Sequence, residues 1–328
     1  MLEIKNKFLT GYKFIDLFCG IGGFHLALSS FGASCVFASD IDYYAQTSYQ
    51  KNFGIVPYGD ITKIIVKDIP HHDILCAGFP CQPFSISGNR KGFDDDQGRG
   101  KLFFNIIAII HEHFPKMVLL ENVKNLEKHD NGKTLCRIKT ELADAGYTVF
   151  DKVLCAADYN IPQARQRIYI VAFRKDLGVN DFQFPQHLQG FNVLESILIS
   201  DTDNEVAGNY YINRECEIFG ETSEKENRLL RIGQIGLGRQ GERIYSINGL
   251  AATLSSQGGG LGGKTGLYLI NGKVRKLYPR ECARLMGFPD SFILAQTQER
   301  CYNQFGNSVV VDVLQHIVNQ TRNIWEEQ

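Results

Sequence analysis

Residues 14–23, Phe14-Ile15-Asp16-Leu17-Phe18-Cys19-Gly20-Ile21-Gly22-Gly23, run from an apolar, strand-like segment into a glycine-rich turn, and Phe24, Leu26, Ala27, Leu28 and Phe31 then recur at helical spacing. Strand, glycine turn and helix in succession are the opening unit of an α/β sheet. Glycine lets the backbone approach a ligand closely, and the helix start offers unpaired N–H groups to it. The pattern is G-x-G-G, without the third glycine of the dinucleotide fingerprint, so a nicotinamide-dependent dehydrogenase is not supported.

Working outward, a second strand, Cys35–Ala38, ends at Asp40, about twenty residues beyond the glycines, where an acid commonly binds ribose hydroxyls. Asp42 and Tyr43 open a helix reaching roughly Asn52, and Gly59-Asp60 is expected to present another carboxylate at the end of a third strand. Helix capping is the competing role for both Asp40 and Asp60. A further apolar run, Asp73–Ala77, leads into Gly78-Phe79-Pro80-Cys81-Gln82-Pro83-Phe84-Ser85. Cys81 thus stands at the mouth of a strand between two prolines that each fix a φ angle, either as a placed nucleophile or as a buried structural thiol. The loop from Ser85 to Gly100 is long for a compact domain and reads as a lid.

Helical spacing then covers Leu102–His113, and Lys116–Leu120 forms a strand that ends at Glu121-Asn122-Val123. In a parallel sheet this places Glu121 at the same carboxyl edge as Cys81 and the glycine turn, the edge where open α/β sheets bind ligands. A helix over 133–145 and a strand over 147–156 follow, then Gln163-Ala164-Arg165-Gln166-Arg167 ahead of the strand 168–173. Two arginines at i, i+2 are expected to face one side and suit phosphate or carboxylate recognition. Past residue 190 the texture changes. Residues 233–263 hold ten glycines among Arg, Gln, Tyr and Ser, with short β-type runs at 243–247 and 266–270. Arg280–Met286 reads as a short helix, and Val309–Ile317 as an amphipathic helix preceded by a Gly306-Asn307 turn.

The chain of 328 residues has 44% hydrophobic and 22% charged residues, an ordinary soluble composition, and no apolar stretch of signal-peptide or membrane-spanning length, so a cytoplasmic protein is expected. Nine scattered cysteines, none in a C-x-x-C pair, fit a reducing compartment and no zinc site. The net charge of −1 hides an asymmetry: residues 225–284 carry eleven Lys and Arg against three acids, a net +8, which leaves −9 elsewhere. The basic residues coincide with the glycines, and Gln, Arg and Ser are donors to base edges and phosphates.

Taken in order, Phe14-x-Asp16-Leu17-Phe18-x-Gly20-x-Gly22-Gly23, Gly78–Ser85, Glu121-Asn122-Val123, Gln163-x-Arg165-x-Arg167 and Gly306-Asn307-Ser308 resemble the cytosine-C5 DNA methyltransferase family across essentially the whole chain. The resemblance implies an α/β fold: a Rossmann-like, mainly parallel sheet of the S-adenosylmethionine-dependent methyltransferase type, with a second, smaller, Gly-rich β/loop DNA-recognition domain. Residues 1–190 would form the catalytic and cofactor-binding domain, completed by a helix at 305–328, with 191–278 for target recognition and 279–304 as hinge. It further implies S-adenosylmethionine as cofactor, S-adenosylhomocysteine as product, no metal, and a cytosine flipped from duplex DNA as substrate. Phe18 would stack on the adenine, Gly20, Ile21, Gly22 and Gly23 cradle the methionine part, Asp40 hold the ribose and Asp60 read the adenine. Ile41, Ile61, Pro80, Leu102 and Asn307 complete the cofactor site. Cys81 would attack cytosine C6, with Glu121, Arg165 and Arg167 completing the catalytic set. Ser85, Ser87, Arg99, Gln240, Arg243, Tyr245, Ser255, Gln257, Gly258 and Gly259 would meet DNA.

Gln240–Tyr245 resembles the recognition stretch of members that read GCGC, so a GCGC core is expected. The implied setting is a bacterial restriction-modification system, with a monomeric enzyme whose cognate nuclease shares its site. There are two departures. Asp40-Ile41 replaces Glu-Trp, which shortens the ribose contact by one methylene and makes the adenine wall aliphatic, and Gln257 stands where a Tyr precedes the triple glycine. A tRNA cytosine-C5 methyltransferase on the same scaffold and a catalytically silent DNA-binding relative are the alternatives.

Overall fold

The computed structural model describes residues 6–80, 101–220, 223–258 and 265–326. The chain clusters into two compact units, an α/β unit drawn from Leu2–Leu154, Gln166–Pro185 and Leu314–Gln328, and a second unit drawn from Cys155–Arg165 and Gln186–Val313.

In the α/β unit, β1 (Lys13–Leu17), β2 (Ser34–Ser39), β3 (Ile74–Gly78), β4 (Met117–Val123), β5 (Tyr147–Cys155) and β6 (Gln166–Arg174) form one sheet in the order β2-β1-β3-β4-β6-β5. The pairs β1·β2, β1·β3 and β3·β4 are parallel, while β6 runs antiparallel to β4. Residues 74–77 of β3 and the first four residues of β4, 117–120, are apolar and buried, as strands of a sheet covered on both faces require. Helices α1 (Gly23–Ser30), α2 (Tyr43–Phe53), α3 (Lys101–His113) and α4 (Lys133–Asp144) fill the connections. Ile106, Ile109 and Ile110 of α3 pack in one core cluster with Leu75, Ala77, Val118 and Leu120.

Two expectations are corrected here. No strand ends at Gly59-Asp60. Tyr58 makes a single parallel bridge to Ser39, and Asp60 instead caps a short 3-10 turn, its carboxylate accepting from the Thr62 N–H. Gly306-Asn307 is not a turn before a helix but the last turn of α6 (Gln298–Asn307). Thr297 caps that helix, and Cys301, Tyr302 and Phe305 bury one face of it. Helix α5 (Pro279–Arg284) precedes it, and α7 (Val311–Gln320) and α8 (Arg322–Glu326) follow.

The second unit holds a five-stranded sheet, β7 (Glu217–Ile218), β8 (Arg231–Gln234), β9 (Arg243–Ser246), β10 (Leu267–Ile270) and β11 (Lys273–Arg275), ordered β11-β10-β9-β8-β7. Ile232, Ile235, Ile244 and Leu267 pack in one core cluster of this unit. Asn271 and Gly272, at φ 49° and 73°, make the tight turn between antiparallel β10 and β11. A buried ion pair anchors α5 to β11, with Arg275 donating to both Glu281 oxygens at 2.7 and 2.8 Å.

Candidate active site

β1 delivers the chain to the glycine turn through a strained residue, since Phe18 has φ 54°, a left-handed conformation that non-glycine residues rarely adopt. The two following glycines with positive φ do different jobs. A Cβ on Gly22 (φ 88°) would stand 2.2 Å from the Phe53 ring, so this glycine lets α1 close on α2. A Cβ on Gly20 (φ 52°) would meet nothing within 4 Å. Gly22 caps α1 without a side-chain acceptor, leaving backbone donors at the helix start.

Asp40 organises this corner. One carboxylate oxygen accepts the Gly20 N–H and the other the Asp42 N–H, both at 2.8 Å, so a single side chain ties the ends of β1 and β2 together. Burial raises its carboxyl above the ordinary value despite those donors. Asp42, rather than Asp40, is the cap of α2. The Asp60 carboxyl is held below its ordinary value by the Thr62 hydroxyl, then by the Thr62 N–H, with Lys63 3.7 Å away.

The S-adenosylmethionine implied by the family resemblance fits these residues on three observations: open space at Gly20, uncapped donors at α1, and Ile41 at 77% exposure directly after Asp40. The Asp40 carboxylate keeps acceptor capacity for a hydroxyl beside its backbone donors. Ile21, Gly23 and Ile61 are buried, Pro80 and Leu102 half-buried, and Asn307 is exposed at the end of α6 in the second unit.

Asp16 has no role in the sequence-based site, yet it is fully buried in the middle of β1, and burial first and the charge of Asp40 second hold its carboxyl well above the ordinary value. Its signal in the sequence is an acid inside an otherwise apolar strand.

At the edge formed by β3, β4 and β6, Gly78 pairs with Glu121, and Val123 with Arg167. Because β6 is antiparallel, its beginning rather than its end reaches this edge, which is how Arg167 arrives beside Glu121. Arg167 Nε lies 3.2 Å from Glu121 Oε1, and both side chains are largely withdrawn from water. Asn122 donates to the Phe79 carbonyl at 3.1 Å and so holds the chain two residues before Cys81. Cys81, Ser85, Ser87, Arg99 and Gly259 lie outside the described residues.

Arg165 departs from the expectation of a shared arginine face. Only 2% exposed, its guanidinium donates to the carbonyls of Leu254 (3.2 Å), Gly306 (3.3 and 3.4 Å) and Ser308 (2.7 Å), all in the second unit. Residue 165 precedes β6, so strand alternation with Arg167 does not apply. Gln163 works beside it, donating to the Leu285 carbonyl at 2.7 Å and accepting from the Leu254 N–H at 2.9 Å.

Among the residues expected at DNA, Gln240 and Gln257 are exposed. Arg243 is half-buried, with Nε 3.3 Å from the Gly238 carbonyl. Buried Glu242 accepts the Arg239 N–H at 2.8 Å and shapes the turn that carries Gln240. Tyr245 is only 6% exposed, its ring filling the space that a side chain at Gly266 would need. Ser255 donates its N–H to the Thr265 hydroxyl at 2.8 Å, and Gly258 turns at φ 67°.

Among the described residues of the basic stretch, five cations are engaged in ion pairs: Lys225 with Glu195, Arg228 with Glu226, Arg275 with Glu281, Arg280 with Glu205 and Arg284 with Asp290. Three of these partners, Glu195, Glu205 and Asp290, lie outside the stretch and offset part of its +8. Among the described residues no group of three or more His, Cys, Asp or Glu side chains could hold a metal, and no helix is long and apolar enough to cross a membrane.

A family model described as C-5 cytosine-specific DNA methylase matches residues 12–323. The chain is 52% identical over 319 residues to the type II methyltransferase M.HhaI of Haemophilus parahaemolyticus, covering 97% of this chain and 96% of that protein. It is 43% identical to the type II methyltransferase M.HaeII of Haemophilus aegyptius, over 95% of this chain and 93% of the relative. Among solved structures, the Entamoeba histolytica methyltransferase EhMeth superposes with a TM-score of 0.74 at 20% identity, over 96% and 98% of the two chains, a likeness of fold.

Proposed function

The chain belongs to the C-5 cytosine-specific DNA methylase family, and from that membership we propose that it is the modification enzyme of a type II restriction-modification system, methylating C5 of a flipped cytosine in duplex DNA at a site containing GCGC. The α/β unit is read as the catalytic and cofactor-binding part and the second unit as the part that reads the target. A cognate nuclease would share the site and need not bind this chain, which would act as a cytoplasmic monomer.

S-adenosylmethionine, when bound, supplies an electrophilic methyl group. The chain supplies the rest. C5 of cytosine is a weak nucleophile until the ring is activated. Attack of the Cys81 thiolate on C6 forms a C–S bond and moves the C5=C6 electron pair onto C5, with the developing charge shared toward N3. Protonated Glu121 would give its proton to N3 as charge develops there and accept from the exocyclic amino group with its other oxygen, ending as a carboxylate beside the Arg167 guanidinium, which holds it in place. After C5 has gained the methyl carbon, a base removes the C5 proton, and the electron pair left behind restores the double bond and expels the Cys81 thiolate. The observation that supports this reading most directly is the Glu121–Arg167 pair at the edge to which β3 leads, three residues before Cys81.

Tritiated methyl transfer tests it. Label is expected on a GCGC duplex and not on the same duplex with the site altered, and bisulfite sequencing of a methylated plasmid gives the modified base. Label on tRNA with none on duplex DNA would overturn the reading. A duplex carrying 5-fluorocytosine, from which the C5 substituent cannot leave as a proton, should trap a covalent adduct that Cys81→Ser lacks.

A further inference from the structure

Helix α6 carries Gln298, Tyr302 and Gly306 at i, i+4 and i+8, one face of the helix, and each residue bears on a different segment of the second unit. Gln298 Nε2 lies 3.4 Å from the Asn209 carbonyl and 3.0 Å from the Tyr302 hydroxyl, and a Cβ on Gly208 would fall 2.6 Å from Gln298 Oε1. The Tyr302 hydroxyl donates to the Leu277 carbonyl at 2.7 Å. Its ring lies so close to Gly258 that a Cβ there would stand 2.7 Å from ring carbon Cδ2. At Gly306 the space a side chain would need is filled by backbone, 2.3 Å to the Ser256 nitrogen and 2.4 Å to the Ser255 carbonyl carbon.

The segment 254–258 is therefore fixed point by point. Leu254 is held through its N–H by Gln163 and through its carbonyl by Arg165, which also holds the carbonyls of Gly306 and Ser308. Ser255 and Ser256 abut Gly306, and Gly258 abuts Tyr302. Gln257, by contrast, is exposed. A glycine-containing segment has more conformational freedom than others, and reading a base edge by hydrogen bonds requires donors placed to about 0.5 Å. Something outside the segment must supply that placement.

We infer that the Gln298–Tyr302–Gly306 face of α6 is a positioning element for target discrimination, setting where Gln257 and Gly258 stand without itself touching DNA. The inference rests on the reading of 255–258 as DNA-contacting. A core-packing role alone would change stability when disturbed and leave selectivity intact.

Full-length Tyr302→Leu, Tyr302→Phe and Gly306→Ala test it, with kcat and KM measured on a GCGC duplex and on duplexes altered at one base pair. Tyr302→Leu and Gly306→Ala are expected to raise KM for the GCGC duplex and to lower the ratio of kcat/KM between correct and altered sites, each about tenfold, the scale of one mispaired contact. The single-turnover rate at saturating duplex should stay within about threefold and S-adenosylhomocysteine affinity unchanged, while amides 255–258 exchange hydrogen about tenfold faster. Tyr302→Phe keeps the ring against Gly258 and should keep the ratio. This Leu/Phe contrast holds even where Gly306→Ala fails to fold. Unchanged ratio and exchange in Tyr302→Leu, or a fall in the single-turnover rate at constant ratio, would overturn the inference while the methylation reading stands. Absence of methyl transfer to duplex DNA by the unaltered protein would overturn both.

Discussion

Asp40 shows how much a single carboxylate does here. Both of its oxygens accept backbone N–H groups, from Gly20 and Asp42, so it shapes the turn that it is also proposed to serve as a ribose ligand. Asp40→Asn keeps the size but turns an amide NH2 toward one of two N–H donors, so one hydrogen bond is lost and two donors face each other. That costs on the order of 1–3 kcal/mol. The expected outcome is a Kd for S-adenosylhomocysteine raised about tenfold or more by calorimetry, with a lower unfolding temperature. An unchanged Kd would remove Asp40 from the cofactor site. The Arg165 and Arg167 side chains make the complementary point: identical chemistry two positions apart is used once to clamp carbonyls and once to orient a carboxylate.

At the scale of elements, the contact between α1 and α2 depends on a missing side chain. Gly22→Ala must accept a left-handed φ, about 1–2 kcal/mol, and a Cβ 2.2 Å from the Phe53 ring, about 1–3 kcal/mol for overpacking. Urea unfolding should report a loss of about 2–5 kcal/mol in total through a lower midpoint at unchanged slope. Phe53→Leu added to Gly22→Ala should recover the steric share only. If the single variant is as stable as the parent, the close approach is not a constraint. Most elements were legible in the sequence because their signal is local: the apolar runs at β1, β3 and β4, the spacing of Ile106, Ile109 and Ile110 in α3, and the glycine turn. Helix α6 was not legible. Its sequence, Gln-Glu-Arg-Cys-Tyr-Asn-Gln-Phe-Gly-Asn, is polar, and Gly306 near its end reads as a stop. Burial of Cys301, Tyr302 and Phe305 overrides that weak preference.

For the molecule as a whole, two histidines withdrawn from water, His25 and His72, weaken the fold toward acid pH. His72 is fully buried, its Nδ1 lies 2.8 Å from the Pro70 carbonyl, and burial pushes its pKa down to about 4 from 6.5. His25 is pushed to about 4 by the same cause. Because the folded pKa lies below the unfolded one, the unfolded chain takes up the proton first as pH falls. The histidine contribution is then flat above about pH 6.5 and declines toward pH 4, by up to about 3 kcal/mol for His72. Asp16 and Asp40, whose carboxyls are raised by burial, act in the opposite sense and lose stability as pH rises. The difference between parent and His72→Asn in unfolding experiments from pH 7 to pH 4.5 isolates the histidine: the variant should show the shallower decline, and parallel curves would refute the assignment.

Local structure could be read from the sequence: a glycine turn after a strand, an acid after the next strand, and a glutamate near the end of a further apolar run. These signals are local because strand, turn and helix propensities act over a few residues. The direction of β6, which brings Arg167 to Glu121, and the clamp of Arg165 on carbonyls 89 to 143 residues further along emerged only on folding. So did the reason for glycine at 306, whose neighbour is the Ser255–Ser256 backbone. Partners so distant in the chain leave no periodicity or spacing to read. Their pairing is decided by how the packed elements exclude water and satisfy buried donors together.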